Sequence, residues 1–348
     1  MKILFLAPTN EFSGGENVTV QIAKQMKNRK HAVAYCCPVG KIKWVLQENE
    51  IPFIGLKKFS LKELRKAIKE YDPEIVYAMD YRASFYASLI FQNTIGHLHS
   101  DCPWLKRICP NSLALCITAF RAKHLICVSK DIPKNFVFSY MVKDKFTVFS
   151  NVISSQEILI KSQEFFCEGQ YDLGYCGRFA EPKNPIGFLE IVAQLKKDIP
   201  QISAVMIGDG ELRETVECTI EEYGLKETVD LKGFQINPFP FINRCKVMVM
   251  PSLWEGFPMV AIESLLLGKP LVATSVSGLQ DIVTDECGGI GKTIEELAEK
   301  VKRCLKCTDE EYQKICERAQ QAALPYIHME QYINNIENII LESLRLSR

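Results

Sequence analysis

Tyr171-Asp172-Leu173-Gly174-Tyr175-Cys176, then the loop Gly177-Arg178-Phe179-Ala180-Glu181-Pro182-Lys183-Asn184, then Pro185–Leu195: this stretch decides the fold. A run of strand character enters a glycine-bearing loop, and proline opens a segment of helical period. A second short apolar run, Ala204–Ile207, follows. Strand, helix and strand in that order require parallel pairing, because the chain must cross one face of the sheet to lay the second strand beside the first.

The same alternation continues in both directions. Toward the C-terminus, strands are expected at Val229–Leu231, Val247–Met250 and Pro270–Ala273, with helices at Glu211–Tyr223, Pro258–Leu267, Ile294–Lys306 and Asp309–Leu324. A last helix, Met329–Leu344, is long enough to cross back onto the first half. Toward the N-terminus, strands fit Lys2–Ala7, His31–Cys37, Ile51–Leu56, Glu74–Met79, Thr94–His99, Leu125–Val128 and Phe146–Phe149, with helices at Glu16–Asn28 and Leu61–Tyr71. The polar stretch Ser154–Gln170 reads as a linker. The expectation is an α/β protein of two Rossmann-like, doubly wound parallel-sheet domains. One comprises residues 1–160, with 329–348 packing back on it, and the other 161–328. Their strand ends would face a central cleft.

Composition excludes several classes. Of the 348 residues, 47% are hydrophobic and 24% charged, ordinary for a globular protein. The longest apolar runs, such as Leu113–Phe120, reach about eight residues against the ~18 that span a bilayer. The apolar part of Met1–Thr9 is too short for a secretion signal and reads as a strand. Fourteen scattered cysteines fit reduced thiols in a cytoplasmic protein. Cys304-x-x-Cys307 lacks a partner pair with zinc spacing, and the seven-residue recurrence of Cys102, Cys109 and Cys116 reads as one buried helical face. The net charge of zero hides an asymmetry: residues 1–150 hold 22 basic against 12 acidic side chains, and the remainder 20 against 30. The first half therefore suits an anionic partner or simply a solvated basic surface. No basic stretch carries the interleaved aromatics of a nucleic-acid platform.

The loops narrow the chemistry. No G-x-G-x-x-G follows a strand; Gly208-Asp209-Gly210 begins one, but Arg213 stands at its third glycine. A Walker A loop and an Asp-x-Asp metal signature are also missing from the sequence. Phosphate would then be met by cations and amides. Ser13-Gly14-Gly15-Glu16 is a glycine turn opening a helix, where free N–H groups favour an anion. Arg178 and Lys183, five residues apart in the loop starting at Gly177, would clamp a diphosphate. The glycines around Asp209 would let a flat base lie close. In Trp254-Glu255-Gly256-Phe257-Pro258-Met259-Val260-Ala261-Ile262-Glu263, proline suits the first helical position and leaves the Met259 and Val260 amides unpaired. Glu255 and Glu263 beside that helix end would accept hydrogen bonds from vicinal hydroxyls.

The Glu255-x7-Glu263 arrangement, the Arg178/Lys183 loop and the Gly14-Gly15 turn resemble the retaining glycosyltransferases of family 4, which have the GT-B architecture. The resemblance runs over nearly the whole chain and is most specific in Gly174–Asn184 and Pro251–Gly278. It implies a nucleoside diphosphate sugar donor, UDP by family habit, held mainly by the second domain without metal or other cofactor. Arg178 and Lys183 would neutralise the diphosphate, Glu263 would bind the ribose, and Glu255 the transferred sugar. Amides around Gly256, Phe257, Pro258, Met259 and Val260 would hold phosphate or sugar, and Gly14 and Gly15 would line the donor site. His99 corresponds to the family histidine near the reacting carbon. It is favoured over His97, which lies two residues deeper on the same strand face. The chain departs from the family where relatives have Asn-Gly-[Ile/Val]-Asp: here stands Asn151-Val152-Ile153-Ser154. Glu16 also occupies a common alanine position.

The activity this implies is sugar transfer, with anomeric retention, to a glycan or polyprenyl-linked acceptor. Glu16, Trp104, Lys106 and Arg107 would border the acceptor. The basic segment 57–71, with Lys57, Lys58, Lys62, Arg65, Lys66 and Lys69, would rest on the inner face of a membrane. Two alternatives stay open: a sugar-nucleotide epimerase of the same fold, and a non-catalytic partner subunit. The second predicts loss of the Arg/Lys/Glu set, which this chain retains.

Overall fold

The computed structural model describes residues 1–10, 14–165 and 169–345. Ser13 of the glycine turn therefore lies outside the described residues, as do Cys167 and the last residues of 329–348. The chain divides into two units, Met1–Val152 with Met329–Arg348, and Ile153–His328.

The first unit holds a parallel sheet of β1 (Lys2–Leu6), β2 (Ala32–Pro38), β3 (Phe53–Leu56), β4 (Ile75–Met79), β5 (Thr94–Leu98), β6 (His124–Cys127) and β7 (Phe146–Val148), in the order β3-β2-β1-β4-β5-β6-β7. The strands read as near-continuous apolar runs because helices cover both faces; Ile75–Met79 and Thr94–Leu98 are buried throughout. The helix Met329–Arg345 belongs to this unit. Its Glu337 bonds Arg29 and, at 2.6 Å, His31 Nε2, and Tyr332 Oη donates to the buried Asn151 Oδ1 at 3.1 Å.

The second unit holds β8 (Tyr171–Cys176), β9 (Ala204–Ile207), β10 (Val229–Gly233), β11 (Cys245–Met250), β12 (Leu271–Thr274) and β13 (Gly288–Gly291), in the order β10-β9-β8-β11-β12-β13. Its core packs Leu173, Tyr175, Phe188, Val247 and Val249 under the helices Pro185–Asp198 and Ile294–Lys306. Strand order reverses between β1 and β4 in one sheet and between β8 and β11 in the other. Ligands of open α/β sheets bind at such reversals, beyond the carboxyl ends of the strands.

Two expectations change. The linker Ser154–Gln170 contains a helix, Ser155–Lys161, inside the second unit. Cys102 precedes the turn Pro103–Lys106, Cys109 precedes the helix Pro110–Arg121, and only Cys116 lies within it, so the three share no helical face. The basic helix Leu61–Tyr71 turns Leu64, Ala67 and Ile68 inward, and its outer face shows no exposed large apolar side chain to insert into lipid. Among the described residues, no helix is long and apolar enough to cross a membrane.

Candidate functional site

In the second unit, two loops leave the carboxyl ends of β8 and β11, adjacent strands at the order reversal. They are fastened together before any charge acts. Asn184, at φ 47°, caps the helix Pro185–Asp198 by accepting from Gly187 N–H at 3.0 Å. Its Nδ2 donates to Pro251 O at 3.1 Å, and Leu253 N–H donates to Pro182 O at 2.8 Å. On this frame Lys183 Nζ reaches both carboxylate oxygens of Glu255, at 2.7 and 2.6 Å. Ser252 Oγ donates to Glu255 Oε1 at 2.7 Å. Glu255 is only 4% exposed, so the lysine and serine satisfy a charge that would otherwise be costly to bury. The Lys183 side chain keeps 34% of its surface open, and its third N–H is available to a phosphate oxygen.

Arg178 shares the loop but not the partner. Its Nη2 stands 3.4 Å from Glu211 Oε1 in an exposed pair, which holds the guanidinium weakly. Glu263, in the helix Met259–Leu266, is buried, and among the described residues its carboxylate has no hydrogen-bond partner. Burial pushes it up to about 7, with the Lys161 charge opposing. Its charge also reaches Cys176 at the end of β8, where burial first and Glu263 second push the thiol up. An unsatisfied buried carboxylate of this kind suits an incoming pair of hydroxyls.

Two sequence expectations fail in detail. Pro258 is the cap rather than the first helical residue, and Met259 N–H is already bonded to Phe257 O at 3.0 Å. Of the two amides expected free, only that of Val260 makes no hydrogen bond among the described residues. Phe257 packs edge-on against Tyr326 at 5.7 Å, and Gly278, at φ 85°, brings its loop within 3.0 Å of Gly256 O for a built Cβ. Gly208 and Gly210 are required in any case by close packing. A Cβ on Gly208 would stand 1.9 Å from Gly177 O, and one on Gly210 would stand 2.5 Å from Phe179 O. Asp209 between them accepts Phe179 N–H through its backbone carbonyl at 2.9 Å.

The first unit gathers a separate group around its own order reversal. Gly14 and Gly15 open the helix Gly14–Asn28, and a Cβ on Gly15 would sit 3.6 Å from the His99 side chain. His99 follows β5 directly and is buried; its ring lies 4.0 Å from that of His97, which in turn bonds Tyr77 Oη through Nδ1 at 2.8 Å. Among the described residues neither ring nitrogen of His99 has a partner. Burial pulls its pKa down to about 3, so the imidazole is neutral at physiological pH. Asp80, which the sequence reading missed, accepts His99 N–H on Oδ1 at 2.9 Å and adopts φ 60°. Burial pushes its carboxyl up to about 6 against that hydrogen bond, with the Glu16 charge adding to the rise. Glu16 is itself buried and accepts from Thr9 Oγ1 at 2.7 Å.

Beside this group is a pocket of about 160 Å³, lined in part by Asp80, Tyr81, Arg82, Trp104 and Leu115. Trp104 stands edge-on to Tyr81 at 4.8 Å. Lys106 and Arg107, expected next to it, point to solvent and do not line the pocket. The signal for Asp80 was available in Ile75–Met79: an acid directly after a fully apolar strand, at the end where ligands bind.

Comparison with known proteins places the chain. Residues 12–157 match the family described as Glycosyltransferase Family 4, and residues 156–322 match Glycosyl transferases group 1. An uncharacterised glycosyltransferase of Methanocaldococcus jannaschii is 34% identical over 169 residues, covering 48% of this chain and 44% of the relative. The N-acetylgalactosamine-N,N'-diacetylbacillosaminyl-diphospho-undecaprenol 4-alpha-N-acetylgalactosaminyltransferase of Campylobacter jejuni is 30% identical, covering 46% of this chain and 43% of its own. The aligned part thus spans less than half the length of these curated relatives. Among solved structures, Anabaena HepE in complex with UDP-glucose superposes with a TM-score of 0.83 at 21% identity, covering 99% of both chains. At that identity the likeness concerns the fold. The chain belongs to the family-4 glycosyltransferases and has the GT-B fold.

Proposed function

We propose that this protein transfers a sugar from a nucleoside diphosphate sugar, with UDP as the nucleotide, to a hydroxyl of a glycan or polyprenyl-diphosphate-linked acceptor, with retention at the anomeric carbon. The observation that carries this reading is the Lys183–Glu255 pair between two fastened loops, with the unpartnered Glu263 on the helix that follows. Lys183 and Arg178 meet the diphosphate and stabilise the charge that grows on it as the glycosidic bond breaks. Glu263 takes the ribose diol. Glu255, oriented by Ser252 and Lys183, takes hydroxyls of the transferred sugar, and the Val260 amide contributes a further donor. In the first unit, the neutral imidazole of His99 has free nitrogens for a sugar hydroxyl, held in place through Asp80. Gly14 and Gly15 leave room beside it, while Glu16 and Trp104 border the acceptor.

The UDP-glucose bound by HepE and the undecaprenyl-linked substrate named for the Campylobacter relative support the donor and acceptor classes. Retention is the outcome the family resemblance implies, with the leaving phosphate oxygen assisting attack on the same face. The test is a panel of nucleotide sugars assayed for free nucleotide, with and without lipid-linked acceptor, followed by NMR of the product. Acceptor-dependent UDP release with an axial-to-axial or equatorial-to-equatorial outcome is expected. A new nucleotide sugar formed from donor alone would assign the site to an epimerase.

A further inference from the structure

The first sheet buries a phenol and an imidazole side by side. Met79 of β4 stands opposite His97 of β5, so Tyr77, two residues earlier, shares a sheet face with His97. Both side chains are fully buried, and Tyr77 Oη lies 2.8 Å from His97 Nδ1. The two rings meet edge-on at 5.7 Å, and Phe5 packs against Tyr77 at 5.3 Å. Apolar side chains would fill this space at lower cost, since each polar group here has to be stripped of water.

The hydrogen in that contact has one place to go. Burial first and Tyr332 second push the Tyr77 hydroxyl well above its ordinary pKa, so the phenol keeps its proton. Its partner among the described residues is His97 Nδ1; the nearby Tyr332 Oη donates to Asn151 Oδ1 instead. Tyr77 therefore donates to Nδ1. Burial, with His99 adding to it, pulls the pKa of His97 well down, so this ring is neutral and carries its own hydrogen on Nε2. The His97 and His99 rings lie 4.0 Å apart. Among the described residues four buried side-chain nitrogen or oxygen atoms lack a partner, and three are His97 Nε2 and both nitrogens of His99. Unpaired polar atoms gathered in this way are kept where something else pairs them.

We propose that Tyr77 and His97 are positioning residues for His99. The Tyr77 hydroxyl holds His97 in one tautomer and one orientation. The His97 ring, its dipole thus fixed, sets the plane of His99 and decides which His99 nitrogen donates and which accepts. In a site without water a dipole at this distance acts strongly. Asp80 holds His99 only by its backbone N–H, which leaves the ring to be oriented by something else. A histidine protonated on the wrong nitrogen meets a sugar hydroxyl with a donor where an acceptor is needed. This role rests on His99 meeting the sugar, as proposed for its function, and adds two residues that touch no substrate.

The test is NMR of the full chain labelled with 15N in its five histidines, each ring reporting its own tautomer. His97 should show a single tautomer with hydrogen on Nε2, and His99 a single tautomer of its own. In Tyr77→Phe, which removes one oxygen and keeps the ring, His97 should lose its single tautomer and the His99 nitrogens should shift. His97→Phe, which also keeps a ring, should shift His99 as well. For UDP release from UDP-glucose, kcat should fall roughly tenfold or more in each variant, with KM and UDP affinity within about twofold. Tyr77→Phe should cost kcat nothing further once His97→Phe is present. Circular dichroism checks folding. A single His97 tautomer retained in folded Tyr77→Phe, or His99 nitrogens unmoved in folded His97→Phe, would overturn the proposal. So would a loss of UDP affinity equal to the loss in kcat, which would mark general damage. Tautomer changes in a chain that releases no UDP would uphold the coupling of the rings and count against the transfer reading alone.

Discussion

Lys183, Glu255 and Glu263 each became legible in the sequence for the same reason: cations and acids placed at strand ends and a helix start have few structural uses. What the sequence did not carry was their pairing. Lys183 serves Glu255 as well as any phosphate, because the two loops meet through Asn184–Pro251 and Pro182–Leu253 contacts far apart in the chain. Asp80 was missed for a related reason. Nothing in the local sequence marks this aspartate as a partner for His99, and that bond exists only because β4 and β5 pair in register. Titration at these buried groups has a definite sign. Glu263 titrates at about 7 in the folded chain, above its unfolded value of 4.5. The stability it contributes is complete below about 4.5 and is lost as pH rises through 7. His99 runs the other way: depressed to about 3 from 6.5, it contributes stability above 6.5 that is lost as pH falls toward 3. Thermal unfolding midpoints from pH 5 to 8.5 should show the alkaline decline reduced in Glu263→Gln, and an unaltered alkaline limb in that variant would contradict this assignment.

At the scale of elements, most strands and long helices were readable because period and length agreed. The helix Ile294–Lys306 was found to the residue; its apolar stripe and its Thr293 cap both mark it. The strand Gly288–Gly291 was not found, since glycine is depleted in strands. Its first glycine is dictated by close packing on β12: a Cβ on Gly288 would stand 2.1 Å from Leu271 O. The helix Asp80–Ile90 escaped because small and apolar residues surround it on all sides and give it no clear face. The glycines of the loops after β8 and β9 separate by the same reasoning. Gly208→Ala drives a methyl into the Gly177 carbonyl and should cost several kcal/mol or prevent folding. Gly177→Ala meets only Tyr175 Oη at 3.5 Å, an ordinary contact, and should leave the unfolding midpoint within a few degrees. Thermal denaturation of the two variants distinguishes a packing role from a solvent-facing one; equal losses would refute it.

For the whole molecule, the sequence order of strands and helices was enough to predict two doubly wound sheets, and the family matches and superposition agree with it. Sheet order itself was not readable, because neighbours such as β1 and β4 are set by long-range pairing. Yet that order matters for function: it places the Lys183 and Glu255 loops on adjacent strands at one reversal, and Gly15, Asp80 and His99 about the other. The basic surplus in residues 1–150 was also visible in the sequence.

If the loops after β8 and β11 grip a nucleoside diphosphate, as proposed, UDP alone should bind there. Calorimetric titration of UDP into the intact chain and into Lys183→Ala tests it most directly. Saturable binding to the intact chain is expected, with a loss of at least ~10-fold, about 1.4 kcal/mol, in the variant. The variant should also be less stable by about 1–3 kcal/mol, since Glu255 is left buried without its cation. Absence of UDP binding to the folded chain, or equal affinity in a folded Lys183→Ala, would contradict it.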